Sequence, residues 1–212
     1  MKEYQKTFIE LAIESKALQF GSFTLKSGRL SPYFFNAANL LNSGKLDLLG
    51  KCYFEAFSEE DIDIHSIFGP AYKGIFLGSI LSLLLSKNNK AIPLSFNRKE
   101  IKDHGEGGNI IGDNPKGKTL IIDDVLSAGT AAKESIDLIK DVGAEPVMLL
   151  IGLDRKEKGS GDISASNELE LNYGIKIKSI IDLNLLIQFS KSDPNFEKYI
   201  KDLEDYRSKW GA

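Results

Sequence analysis

Cysteine is nearly absent from this chain of 212 residues. Cys52 stands alone, so no intrachain disulfide can form, and the cross-linked framework of a small secreted domain is excluded. A reducing compartment, the cytoplasm, is the expectation. Long apolar runs are missing as well. The most apolar segment, 74–86, covers 13 positions between Lys73 and Lys87, whereas a membrane-crossing helix needs about 20. It reads as a buried helix, with no membrane association. The opening residues, Met1-Lys2-Glu3-Tyr4-Gln5-Lys6, mix both charge signs and lack the apolar centre of a secretory signal. There is no surplus of positive charge: 27 Lys plus Arg stand against 30 Asp plus Glu, a net charge of -3. Without a basic field, a nucleic-acid-coating role is disfavoured. Histidine is scarce too. Neither His65 nor Cys52 has a metal-ligating or nucleophile partner at a recognisable spacing, so both read as structural. Internal repeats and low-complexity tracts are absent.

What is present is a globular composition, 42% hydrophobic and 27% charged. At about 150 residues per domain it predicts a single domain spanning 1–212. Tyr4, Phe8, Leu11, Ala12 and Leu18 form one helical stripe, and Leu46, Leu49, Tyr53 and Phe57 form another after Gly44. The period then changes. Short β-rich runs at 66–68, 92–96, 119–122, 147–153 and 175–181 alternate with helical segments, chiefly 74–86 and 130–142, the latter closed by Gly143. Strands separated by helices imply right-handed crossovers, hence an α/β fold with a mostly parallel central sheet flanked by helices. A last stripe, Phe196, Ile200, Leu203, Tyr206 and Trp210, predicts a C-terminal helix starting near Asp193-Pro194, available to cover the sheet or a neighbouring subunit. Two polar segments, 97–118 and 155–162, interrupt the pattern. The first exceeds ordinary loop length and is a candidate lid.

Chemistry concentrates in Thr119-Leu120-Ile121-Ile122-Asp123-Asp124-Val125-Leu126-Ser127-Ala128-Gly129-Thr130-Ala131: an apolar strand, two carboxylates, a small-residue turn and a helix start. Ligands of open α/β sheets bind at such strand ends. The N–H groups of 128–131, aided by the helix dipole, suit a terminal phosphate. Asp123 and Asp124 are acceptors suited to two vicinal hydroxyls, so the combined target is a ribose 5-phosphate. A second turn, Gly69-Pro70-Ala71-Tyr72-Lys73-Gly74, brings Lys73 to a helix start as a possible second anion site. A third segment, Asn97-Arg98-Lys99-Glu100-Ile101-Lys102-Asp103-His104-Gly105, carries cations able to close over a polyphosphate. Rival phosphate motifs fail: no Gly-x-x-x-x-Gly-Lys-Ser/Thr occurs, and Gly105-Glu106-Gly107-Gly108 does not follow a strand as a dinucleotide fingerprint must.

The thirteen-residue run resembles the phosphoribosyl-diphosphate motif of the type I phosphoribosyltransferases. The Arg-Lys-x-x-Lys-Asp-His-Gly run resembles the mobile catalytic loop of the orotate phosphoribosyltransferases among them. Phe23-Thr24-Leu25-Lys26-Ser27-Gly28-Arg29, Ser31-Pro32-Tyr33-Phe34-Phe35-Asn36 and Leu153-Asp154-Arg155 extend the likeness over essentially the whole chain. It implies the type I phosphoribosyltransferase fold, with a small N-terminal hood at about 1–40 and a mobile loop at about 97–118. It also implies phosphoribosyl transfer from 5-phospho-α-D-ribose 1-diphosphate to orotate. The diphosphate substrate is expected at Lys26, Tyr72, Lys73, Arg98, Lys99, Lys102 and His104, and along Asp123, Asp124, Val125, Leu126, Ser127, Ala128, Gly129, Thr130 and Ala131. Orotate is expected at Phe34, Phe35, Ser127 and Arg155. Lys102, Asp123 and Asp124 are the implied catalytic residues, with Lys102 the main cation. Mg²⁺ is the implied cofactor, held mainly by substrate and water rather than by a protein metal site. A homodimer sharing the loop between sites is the implied assembly. One departure stands out, since the family usually has Thr at Ser127. Transfer to another base, or a non-catalytic sensor of phosphoribosyl diphosphate, remains an alternative at this point.

Overall fold

A computed structural model of the chain describes every position except 26, 103–107, 128 and 159–162, and leaves the side chains of 100–102 and 108 undescribed. Helix α1 (Glu3–Glu14) buries Tyr4, Phe8, Ile9, Leu11 and Ala12. It stops short of the full stripe because Lys16 turns left-handed, with φ 57°. Leu18 therefore opens a strand instead of continuing the helix. The strands β1 (Leu18–Thr24) and β2 (Leu30–Phe35) form a separate antiparallel hairpin. A 3₁₀ turn (Ala37–Ser43) leads to α2 (Leu46–Ser58).

The central sheet then builds from β3 (Ser66–Phe68), β4 (Leu94–Lys102), β5 (Gly108–Ile111), β6 (Lys118–Leu126), β7 (Glu145–Asp154) and β8 (Lys176–Asp182). Its order is β5-β4-β3-β6-β7-β8, parallel except for β5. The crossovers are α3 (Lys73–Lys87), α4 (Thr130–Asp141) and α5 (Ala165–Tyr173). Gly143, at φ 81°, ends the second of these as expected. The chain closes with α6 (Leu183–Ser192), a 3₁₀ turn (Glu197–Tyr199) and α7 (Ile200–Trp210).

Both faces of the sheet are buried, as parallel strands require. Leu120 and Ile122 of β6 join Leu49 and Tyr53 of α2 and Leu77 and Leu81 of α3 in one cluster. Ile121 joins Ile136 and Ile139 of α4 and Leu169 of α5 in the other. At the free edge, Lys176 and Lys178 of β8 pair with Glu60 and Glu59 beyond and at the end of α2.

Two expectations need correction. Within segment 97–118, read as a loop, residues 97–102 continue β4 and 108–111 form β5, with Asn97 opposite Ile110, while 103–107 lie outside the described residues. Charged residues on a sheet margin conceal a strand from a reading based on apolar runs. The C-terminal helix does not start near Asp193-Pro194. That dipeptide lies just after α6, and α7 begins at Ile200.

A close approach lies at Gly152 on β7. A Cβ there would stand 2.8 Å from Phe8 Cζ and from Tyr53 Oη, and 3.0 Å from the Asp124 carbonyl oxygen. Replacement Gly152→Ala should destabilise the fold by about 2 kcal/mol, or roughly 6 °C in Tm. Thermal melting checks this, and an unchanged Tm would mean the core has room to relax.

Candidate active site

Strand order reverses at the centre of the sheet. From β3 the chain goes first to β4 on one side, and β6 then pairs on the other, making β3/β6 a topological switch point where ligand crevices form. The turn after β3 is held to β4, because the Ala71 N–H donates to Asn97 Oδ1 at 2.7 Å and the Gly69 N–H to the Ser95 carbonyl at 2.9 Å. This fixes the start of α3. Lys73 reaches across the switch point, and its Nζ lies 2.6 Å from Asp124 Oδ2.

Strand β6 runs beyond the expected 119–122 and carries the carboxylate pair within it. Asp124 is buried. The Asp123 carboxylate accepts the Asp124 N–H at 2.9 Å, and Tyr53 Oη donates to the Asp123 carbonyl at 3.1 Å. Burial, reinforced by the neighbouring Asp124 carboxylate, pushes the Asp123 side chain up to about 7.

Gly129, left-handed at φ 77°, turns the chain into α4, and among the described residues no side chain caps the start of that helix. Its first N–H groups are thus left for a ligand. Beside them is a cavity of about 130 Å³ whose lining includes Asp123, Ser127, Gly129, Thr130 and Ala131. Ser127, Thr130 and Ala131 are exposed and Val125 is half-buried. Leu126 points into the α4/α5 core, which leaves only its backbone for a ligand.

Leu126 pairs in register with Asp154, so Ser127 and Arg155 leave adjacent strands side by side. Arg155 is 6% exposed. Its Nε donates to Glu157 Oε1 at 2.6 Å and its Nη2 to Ser31 Oγ at 3.0 Å and Tyr206 Oη at 3.3 Å, while its face lies 4.2 Å from the Tyr33 ring centroid. Successive residues of a strand face opposite ways, and Phe34 and Phe35 separate accordingly. Phe34 is exposed beside Phe23, at 5.6 Å between ring centroids, whereas Phe35 packs on the core near Phe8. The Lys99 ammonium lies over the exposed Tyr72 ring at 4.9 Å. Arg98 is half-buried, and its Nε has no hydrogen-bond partner among the described residues. Lys26, His104 and Ala128 fall outside the described residues, as does the Lys102 side chain.

Sequence reasoning missed the residues that enclose Arg155. Tyr206 was legible only as one member of a helical stripe, and Glu157 only as a charge in a polar segment. The nearest signal was the alternation of Arg155 and Glu157, which puts opposite charges two residues apart.

Asp123 generates a pH prediction. An unfolded Asp titrates near ~4, well below the folded group, so between these values the unfolded chain loses its proton first. The proton-bound form favours the fold below ~4, and that contribution disappears as pH rises to about 7. Asp123→Asn should therefore melt above wild type at pH 8, the gap narrowing toward pH 4. A gap independent of pH would contradict the buried, proton-holding carboxyl.

The geometry finds a parallel in known proteins. Residues 42–171 match the phosphoribosyl transferase domain family. The chain is 51% identical to the orotate phosphoribosyltransferase of Marinobacter nauticus, with 100% of both sequences covered. It is 46% identical to that of Haemophilus influenzae, again with 100% of both covered. The crystal structure of orotate phosphoribosyltransferase from Francisella tularensis superposes with a TM-score of 0.84 at 36% identity, covering 97% of this chain and 99% of that one. Full-length identity at this level, on a fold that brings a carboxylate pair to an uncapped helix start, leads to one conclusion: the chain belongs to the phosphoribosyltransferase family, among its orotate phosphoribosyltransferases.

Proposed function

We propose that the enzyme transfers the phosphoribosyl group of 5-phospho-α-D-ribose 1-diphosphate to orotate, forming orotidine 5′-phosphate and diphosphate, a step in pyrimidine nucleotide synthesis. The observation that carries this reading is the adjacency of Asp123 and Asp124 to the uncapped start of α4 at the switch point. The 5′-phosphate takes the N–H groups of 128–131, and the ribose hydroxyls donate to the carboxylate pair. The bond from C1 to the diphosphate oxygen breaks with its electron pair leaving on the diphosphate, while orotate N1 bonds to C1 and gives up its proton, which the departing diphosphate can accept. Positive charge builds on the ribose and negative charge on the leaving group. Lys73, with Arg98, Lys99, Lys102 and His104 from the 97–118 segment, stabilises that departing charge, and Lys26 and Tyr72 help hold the diphosphate. Orotate lies near Phe34, Phe35 and Ser127, its carboxylate on Arg155. No protein nucleophile is needed, because positioning and charge stabilisation suffice.

The donor set fits a Mg²⁺ ion that arrives with the substrate. Asp124 is already matched by Lys73, Asp123 is held by burial above the ordinary carboxylate range, and no group of three or more metal-ligating side chains occurs among the described residues. When bound, Mg²⁺ would neutralise diphosphate charge, held mainly by diphosphate and ribose oxygens with Asp123 and Asp124 alongside.

The assembly proposed is a homodimer of single-domain chains, 1–212, acting in the cytoplasm, with the 97–118 segment closing over the neighbour's site. No described helix is long and apolar enough to cross a membrane.

Turnover should require Mg²⁺ and orotate. Uracil, lacking the carboxylate, should lose about 10⁴-fold in kcat/KM, the order expected when a site built to hydrogen-bond a substrate group is left unmatched. Orotate absorbance assays check both, and comparable efficiency on uracil would sink the orotate assignment. Mixing Lys102→Ala and Arg155→Ala chains, each strongly impaired at working orotate concentration, under subunit exchange tests the shared site. Half the dimers are then mixed and carry one intact site of two, so activity should recover to roughly a quarter of wild type. Absence of recovery despite verified exchange would mean that the segment serves its own chain.

A further inference from the structure

We infer that Glu157 and Tyr206 are positioning residues that orient Arg155 for the orotate carboxylate, an inference that rests on the role of Arg155 proposed above. A guanidinium holds a carboxylate best when its plane is fixed, because a freely rotating side chain loses the directionality of its planar N–H donors. Here the plane is fixed at several points. The Tyr33 ring supports one face, Glu157 takes Nε, and Ser31 and Tyr206 take Nη2. Tyr206 Oη also donates to the same Glu157 Oε1 at 2.7 Å, so carboxylate, phenol and guanidinium form a closed triangle. With Nε and Nη2 taken, the two N–H groups of Nη1, which makes no hydrogen bond among the described residues, are left for the substrate carboxylate.

Charge balance supports the same role. A lone Glu157 would cancel Arg155 and weaken its hold on a second carboxylate. Arg29, stacked 4.5 Å from the Trp210 ring centroid, places Nη1 3.4 Å from Glu157 Oε2. Two guanidinium groups thus share one carboxylate, and a positive charge remains for the ligand.

The framework comes from the C-terminal end of the chain. Trp210 accepts the Lys158 N–H at 2.8 Å, Ala212 donates to the Lys156 carbonyl at 3.0 Å, and Glu157 bridges to Gly211. The segment that follows Arg155 is thereby strapped to the end of α7.

The test compares Glu157→Gln and Tyr206→Phe in the full-length enzyme, with Arg155→Ala as the reference, by steady-state kinetics and thermal melting. Glu157→Gln should raise the KM for orotate about tenfold and Tyr206→Phe about threefold. The KM for phosphoribosyl diphosphate and kcat should both stay within about twofold, because only the fork is loosened. Orotate KM unchanged in both variants, with Arg155→Ala still raising it, overturns the positioning role alone. An Arg155→Ala enzyme with unaltered orotate KM overturns the underlying reading and this inference with it. Parallel losses in every constant together with lowered melting assign the two residues a merely structural role. If Glu157→Gln does not fold, Tyr206→Phe decides the matter, since its ring and packing are retained.

Discussion

Asp124 is a charged group on the central strand of a sheet covered on both faces, and an unpaired carboxylate there would cost several kcal/mol. Lys73 makes the position tenable by crossing from the start of α3 to meet it at 2.6 Å. The pairing needs the β3 turn held against β4 and needs β6 to stay extended two residues past its apolar stretch. The arrangement of the crevice follows from these demands. The same ion pair keeps a cation and a carboxylate, each with a part in the proposed substrate binding, at fixed separation before any substrate arrives.

The alternation of apolar runs and helical stripes was legible because buried parallel strands are continuous in hydrophobicity, as Leu120, Ile121 and Ile122 illustrate. The carboxylate pair and the small-residue turn were legible because they are contiguous. What escaped was encoded without periodicity or across distance. Leu18 falls in helical phase with Leu11 by coincidence, and the left-handed Lys16 that breaks the helix carries no sequence signature. Strand β4 continues into Arg98 and Lys99, where charge masks a strand. The enclosure of Arg155 joins residues as far apart as Ser31, Glu157 and Tyr206, which no local window contains.

The N-terminal hairpin and the C-terminal helix meet at that arginine. Ser31 and Tyr33 come from β2, Tyr206 from α7, and Arg155 itself from the end of β7. Two peripheral elements are thus tied to one strand end of the central sheet, and the side of the crevice proposed to take the base inherits its rigidity from them. The side proposed for the phosphate depends instead on α4 and the backbone around Gly129. The two halves of the crevice therefore rest on different packing units, and damage to one need not spread to the other.

The margins of the sheet carry a consequence for behaviour at high concentration. An exposed strand edge is a template for pairing with another chain, and proteins blunt such edges with short strands and lysine. Strand β5 spans only Gly108–Ile111, and β8 presents Lys176 and Lys178. With those lysines matched by Glu60 and Glu59, the β8 margin keeps its guard in place without accumulating net repulsion. Extension of the sheet from one molecule into the next is disfavoured at both ends, so copies of this chain can associate through side-chain faces without seeding a continuous β-ribbon.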